Sequence, residues 1–305
     1  TSGTDNVYVG YQAGTAVTSG SYNVIIGNAA GDAQTTSSHS TFVGFGAGSA
    51  VTTAASNTII GSHAGDAITT GAQNVAIGHG SLGALTTTSG NVAIGYNAMD
   101  AGVDGVQNCI AIGNDALGAL TASGSGTTPN IAIGYNAGAG MTTGTSNIAI
   151  GGWCMDAVVT GNSNVAIGAN AMTALTSGGT NTAVGHGSGQ AVTTGSNNTF
   201  IGSTAGDALT TGEQNTFVGS AAGGAQTTAS NNTAVGFAAL DAVTTTGQHT
   251  AMGHNALTAC TDGTNNTAFG SQTGAAVTTG SGNVFVGAYA GDATTTGNDN
   301  VATGF

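Results

Sequence analysis

Residues 198–220 read NTFIGSTAGDALTTGEQNTFVGS, and N-T-F-[IV]-G-S occurs twice within them, 17 residues apart. The same spacing governs the whole chain. The closing glycine falls at Gly10, Gly27, Gly44, Gly61, Gly78, Gly95, Gly113, Gly134, Gly151, Gly168, Gly185, Gly202, Gly219, Gly236, Gly253, Gly270, Gly287 and Gly304. Fifteen of the seventeen gaps are 17 residues long; the others are 18 and 21. The consensus is N-[TV]-[AF]-[IV]-G-x-x-A-[GL]-x-A-[VL]-T-T-G-x-x, numbered here as positions 1 to 17. A fixed period of this length marks a solenoid, in which each coil is stabilised by its neighbours.

A length of 305 residues would ordinarily suggest two domains. The repeat predicts instead one continuous solenoid domain over 1–305, with a protruding insertion loop at 121–130. Both ends fall in mid-repeat, so we expect the array to belong to a longer fibre or to subunits that cap one another.

Within a coil, positions 1 to 4 read as a strand. Position 4 is Val or Ile in 15 of 18 coils, and positions 2 and 4 share one face because strand side chains alternate. Glycine at position 5 suits a turn, and the T-T-G stretch suits another. A second short strand is expected near positions 11 to 14. Glycine at this density and the lack of a 3.6-residue period argue against helix. The expectation is an all-β parallel β-solenoid, a β-roll of about 18 coils.

Position 2 is Val, Thr or Ile throughout if the one-residue excess near Cys109 is a bulge, and position 1 is asparagine in 16 of 18 coils, with Ser40 and His249 as the substitutes. Asn57, Asn74, Asn91, Asn147, Asn164, Asn181, Asn198, Asn215 and Asn232 are expected to form a hydrogen-bonded amide ladder along the stack.

Positions 3 and 9 compensate in volume. Position 3 is large at Tyr8, Ile25, Phe42, Ile59, Phe200, Phe217 and Phe285, and glycine then occupies position 9. Position 9 is large at Leu82, Met99, Leu117, Met155, Met172, Leu240 and Leu257, and alanine then occupies position 3. No coil is large at both, so the two positions fill one close-packed space. If positions 2 and 4 point inward, position 3 points outward. An apolar stripe then runs along the rod and predicts a parallel homo-oligomer packed through these fourteen residues. The alternative places both positions inside a wider coil.

Composition narrows the function. There is no lysine or arginine, and the formal net charge is −13. Nothing can neutralise phosphates, which argues against nucleic acid and anionic lipid as partners. No apolar run approaches a membrane span. Seven of the 13 acids occupy position 10, never in adjacent coils, as solvated charges that discourage wrong registers would. A calcium ladder would gather them instead.

No catalytic or cofactor motif emerges. GFGAGS at 44–49 has no following lysine. His79, His186 and His254 share position 6 in distant coils, which argues against a metal site, and Trp153 stands alone. Cys109, Cys154 and Cys260 read as small hydrophobes. Asn197, Asn231 and Asn265 begin Asn-Asn-Thr glycosylation sequons, but these coincide with the repeat's own Asn-Thr.

The motifs N-V-A-I-G (74–78, 164–168) and N-T-A-V-G-x-x-A-L (232–240) resemble the head repeats of YadA-type trimeric autotransporter adhesins. They resemble still more the 17-residue arrays of phage tail fibres, notably those of cyanophages. The resemblance covers essentially the whole chain. It implies a trimer of parallel β-rolls and an extracellular site on a cell surface, secreted filament or virion. The longer T-T-G turn departs from the adhesin heads, so their outer surface does not carry over.

The expected function is therefore a non-enzymatic fibre or filament shaft without cofactor, as a homotrimer or a head-to-tail polymer. Adhesion to a cell-surface glycan or receptor would fit the same design. The competing expectation is an ice-binding solenoid using the Thr-Thr ladder of positions 13 and 14.

Overall fold

The computed structural model describes residues 2–102, 105–121 and 129–304. It is an all-β parallel solenoid of about 17 residues per coil, with no helix among the described residues. Each coil contributes one three-residue strand at positions 2 to 4, from β1 (Val7–Val9) to β18 (Val301–Thr303). The chain divides into two compact units, Thr1–Thr160 and Gly161–Phe305. The first holds β1 to β9 (Ile148–Ile150) and the second β10 (Val165–Ile167) to β18.

Within each unit, strands pair parallel and in register, so each repeat position stacks on itself. Val24, Ile25 and Ile26 face Thr41, Phe42 and Val43; Thr199, Phe200 and Ile201 face Thr216, Phe217 and Val218. Val, Ile and Thr at positions 2 and 4 suit this pleated surface.

The expected second strand near positions 11 to 14 does not form. That segment makes only isolated main-chain bonds to the next coil: one at position 11 in some coils, such as Ala191 N–H to the Asp207 carbonyl at 3.0 Å, and chiefly one at position 13, such as Thr18 N–H to the Thr35 carbonyl at 2.9 Å. The position-13 hydroxyl adds a bond to the same carbonyl, at 3.1 Å for Thr18 and for Thr193 on Thr210. A tight turn over positions 5 to 12 brings the chain into this segment and leaves too little extended backbone for a ladder.

Orientation across the strand is the reverse of the expected one. Position 3 points into the coil, while positions 2 and 4 point out. Ile25, Phe42, Ile59, Phe200, Phe217 and Phe285 are wholly buried within one chain, as are Leu82, Met99, Leu117, Met155, Met172, Leu240 and Leu257. Only Tyr8, in the first coil, is 40% exposed. These side chains are therefore core and cannot form the oligomer interface expected of them. Their volume compensation is real and internal: a Cβ on Gly223 would lie 2.7 Å from the Phe217 ring, and one on Gly138 3.0 Å from Leu117. The cavity is narrow enough that a ring entering from position 3 fills the place of a side chain at position 9. Fully burying such a side chain stabilises by roughly 1.5–3 kcal/mol. Position 12, for example Ile68, Leu85 and Leu209, completes the core.

The turns rest on left-handed backbone. Position 7 (Asn97, φ 49°; Trp153, φ 53°), position 9 (Leu82, φ 54°; Met172, φ 49°) and position 17 (Gln73, φ 59°; Asn197, φ 60°) all have positive φ. Such a conformation costs a bulky L-residue about 1–2 kcal/mol, repaid in this fold by stacking. Glycine at position 5 has a second reason. A Cβ on Gly61 would lie 2.6 Å from the carbonyl oxygen of Gly78, the same position one coil on.

Candidate functional site

Three surfaces and one buried ladder distinguish the coil. The ladder is position 1. Each Asn Oδ1 accepts the backbone N–H of the next position 1, and each Nδ2 donates to the position-15 carbonyl of its own repeat. Asn74 N–H donates to Asn57 Oδ1 at 2.8 Å, and Asn91 N–H to Asn74 Oδ1 at 3.0 Å. Asn181, Asn198, Asn215 and Asn232 continue the pattern from Asn164, each N–H donating to the preceding Oδ1 at 2.9–3.0 Å. Asn147 N–H donates to Asn130 Oδ1 at 2.9 Å. Asn198 Nδ2 donates to the Gly212 carbonyl at 2.9 Å. The row satisfies buried main-chain groups that would otherwise be costly.

The substitutes keep the acceptor. Ser40 Oγ accepts Asn57 N–H at 3.3 Å, and His249 Nδ1 accepts Asn266 N–H at 3.3 Å. Cys109 belongs here too: its N–H donates to Asn91 Oδ1 at 3.0 Å, and its Sγ accepts Asn130 N–H at 3.3 Å. The extra residue therefore lies before Cys109, and Asn108 takes the positive-φ position 17 (φ 56°). Burial pushes the His249 imidazole below its ordinary pKa, partly offset by the Gly263 backbone. It pushes the Cys109 and Cys260 thiols up, and Cys154 to about 12, so these sulfurs stay protonated and unreactive.

The first surface is the outward sheet face. Position 4 exposes Val9, Ile26, Ile60, Ile167, Ile201, Phe269 and Val286, with Ile201 42% exposed. Position 2 adds Val, Thr or Ile alongside. No acidic residue occupies positions 1 to 6 of any coil, so this face carries no charge in a chain of net charge −13.

The second surface is the edge at positions 6 and 7, which gathers most of the exposed rings. Phe45 contacts His63 (5.1 Å between ring centroids), His63 contacts His79 (6.2 Å), and His79 stacks on Tyr96 (5.4 Å), through four successive coils. His63 Nδ1 also lies 3.3 Å from Asp66 Oδ2. Trp153 is not alone: it meets Tyr135 edge-to-face at 5.2 Å. In the second unit Phe237 stacks on His254 at 5.4 Å. Four of the six histidines, His63, His79, His186 and His254, lie at positions 6 and 7; His39 stacks on Tyr22 at position 17 (5.1 Å between centroids), and His249 belongs to the ladder.

The third surface is the threonine turn. Position-13 hydroxyls are spent on carbonyls, and position 14 presents one exposed row, for example Thr36, Thr53, Thr211 and Thr228. The sequon residues Asn197, Asn231 and Asn265 are exposed at position 17.

Partial burial raises the pKa of Asp100, Asp156, Asp207 and Asp241 at position 10, and Asp115 adds a smaller repulsion on Asp100. Among the described residues, no three His, Cys, Asp or Glu side chains come together to hold a metal ion. No helix there is long and apolar enough to cross a membrane. Of the insertion loop expected at 121–130, residues 122–128 lie outside the described residues. Comparison with protein families, curated proteins and solved structures finds no match to this chain.

Proposed function

We propose that this chain is a non-enzymatic shaft segment of an extracellular fibre or filament that associates with parallel copies of itself. The observation that carries the reading is the outward face of positions 2 and 4: uncharged, with an apolar row at position 4 beside Val, Ile or Thr at position 2, and repeated at one strand per coil. A contiguous exposed apolar row, here position 4, marks an association surface. A partner in lateral register along it needs the same rung spacing, which another copy of the chain supplies. The absence of acids from this face lets two chains of net charge −13 meet there with their charges pointing away. At about 4.8 Å between strands and about 3.3 Å per residue, nine strands present roughly 430 Å². A standard pair buries about 800 Å² per partner, so one unit's face supplies about half of that. A trimer, the state that the repeat's resemblance implies, would bury each chain against two others.

Electron microscopy with mass determination on the same sample tests this. Discrete parallel oligomers or long polymers are expected. A monodisperse monomer at micromolar concentration would overturn the proposal.

The ice-binding alternative has one observation in its favour, the exposed position-14 row. It presents a single row rather than the two that a Thr-x-Thr strand would display on one face.

A further inference from the structure

The outward sheet face changes chemistry along the chain. In the first unit, the five strands from β5 (Val75–Ile77) to β9 carry Val or Ile at both position 2 and position 4. In-register pairing stacks them into two unbroken rows: Val92 faces Ile110 and Ile110 faces Ile131, while Ile94 faces Ile112 and Ile112 faces Ile133. In the second unit, the six strands from β11 (Thr182–Val184) to β16 (Thr267–Phe269) all carry threonine at position 2. The apolar row at position 4 continues there, but it runs beside a row of hydroxyls.

The difference matters because of how parallel copies meet. A twofold axis along the coils reverses the strand direction across the contact, so position 2 of one chain meets position 4 of the other. Over β5 to β9, Val or Ile then meets Ile, and the contact releases water with no polar side chain to desolvate. Over β11 to β16, the hydroxyls of Thr182, Thr199 and Thr216 meet Val184, Ile201 and Val218, which offer neither donor nor acceptor. A hydroxyl that loses its water without gaining a partner is unfavourable. Glu213 adds a charge to the turn that leads into Thr216, and it does so in both copies.

We propose that the face of β5 to β9 is the seam at which a second copy of this chain docks, with its own β5 to β9 opposite, and that this seam carries most of the affinity. The proposal rests on the shaft reading and deepens it by naming the strands that hold the copies together. The face carries no charge, so a charged partner gains nothing there. The surface that fits is apolar, uncharged and ridged at one rung per coil, which the same five strands of another copy supply. Interfaces concentrate their energy in a small desolvated centre with near-neutral contacts around it. The threonine stretch of the second unit is such a margin, close to the partner but hydrated.

Sedimentation equilibrium of the full chain over a range of micromolar concentrations measures the dissociation constant. Val92→Thr/Ile131→Thr writes the second unit's chemistry into the seam, and Thr41 and Thr58 show that the first unit accepts threonine at position 2. Ile201→Thr/Val235→Thr removes one isoleucine and one valine from position 4 of the threonine stretch, where Thr303 is the native precedent. The first variant should raise the dissociation constant about tenfold or more, because each copy loses two aliphatic contacts. The second should change it by less than about threefold. Circular dichroism checks folding. The nearly isosteric Val92→Thr alone keeps the test if the double variant unfolds, and should still weaken association about threefold or more. Affinity unchanged in the first variant, or weakened as much by the second, overturns this inference and leaves the shaft reading standing. An unmodified chain that stays monomeric overturns both.

Discussion

Cys109 Sγ accepts the backbone N–H of Asn130 at 3.3 Å, the role that asparagine Oδ1 plays in most other coils. Ser40 Oγ and His249 Nδ1 do the same for Asn57 and Asn266. Position 1 is therefore defined by an acceptor at a fixed height, and asparagine is its usual form because it also supplies a donor.

Removing that acceptor should be costly. In Asn198→Ala the Asn215 N–H and the Gly212 carbonyl both lose buried partners. Each unsatisfied group costs about 1–3 kcal/mol. Asn198→Ser keeps an acceptor, as Ser40 does, and should lose less. Denaturant unfolding of both variants, with hydrogen exchange at Asn215, checks the order.

The exchange of volume between positions 3 and 9 predicts a rescue. Gly223→Leu drives a side chain into the Phe217 ring at a site where a Cβ alone would already lie 2.7 Å away. Phe217→Ala opens a cavity worth about 3–5 kcal/mol. The double variant recreates the Ala234/Leu240 arrangement of the next coil. It should be more stable than the sum of the two losses, and a double-mutant cycle in denaturant measures the coupling. Simple additivity would contradict the shared space.

Acidification should weaken the coil around His249. Its pKa is lowered by burial, so the unfolded chain binds the proton more readily than the folded one. The stabilising contribution is full above the ordinary value of 6.5 and is lost as pH falls from there through the folded pKa. A proton on Nδ1 would also face the Asn266 N–H donor. Asp262 and the protonated Cys260 belong to the turn beside it. Asp100, Asp156, Asp207 and Asp241 act oppositely: their raised pKa values add stability as pH falls through those values towards 3.8. The protection factor of the Asn266 amide, its exchange rate divided into the intrinsic rate at each pH, should therefore fall as pH drops below 6.5, and His249→Asn should abolish the change.

The threonine turn predicts a negative result. With position-13 hydroxyls bonded to carbonyls, one exposed row remains, and the chain should show no thermal hysteresis or inhibition of ice recrystallisation. Activity that disappears in Thr211→Val/Thr228→Val would favour the ice-binding reading over the shaft.

The period, the parallel stack and the coupling of positions 3 and 9 are all legible in residues 198–220 and their repeats. The direction of position 3 is not. Val and Ile at positions 2 and 4 look like core, and alanine at position 3 looks like surface, until the cavity proves too narrow for β-branched residues opposite Leu240 or Met172. The left-handed backbone at Leu82, Met99 and Trp153 is equally hidden, because those residue types disfavour it and only stacking enforces it. Asn108 masks the place of Cys109 by offering the commoner ladder residue one position early. The ring edge is written across two repeat positions, so neither column alone displays it. Reading exposed aromatics at positions 6 and 7 together would have found it.

The central claim is that the face of positions 2 and 4 meets the same face of a parallel copy. Ile201→Cys places a thiol on that face, while Thr228→Cys places one on the threonine turn; the native cysteines are buried. A short thiol-specific cross-linker applied to each variant, with products weighed by mass spectrometry, is the most direct test. Parallel, in-register association predicts efficient linkage of Ile201→Cys to itself in a second chain and little for Thr228→Cys. Absence of linkage at Ile201→Cys, or equal linkage at both sites, would contradict it.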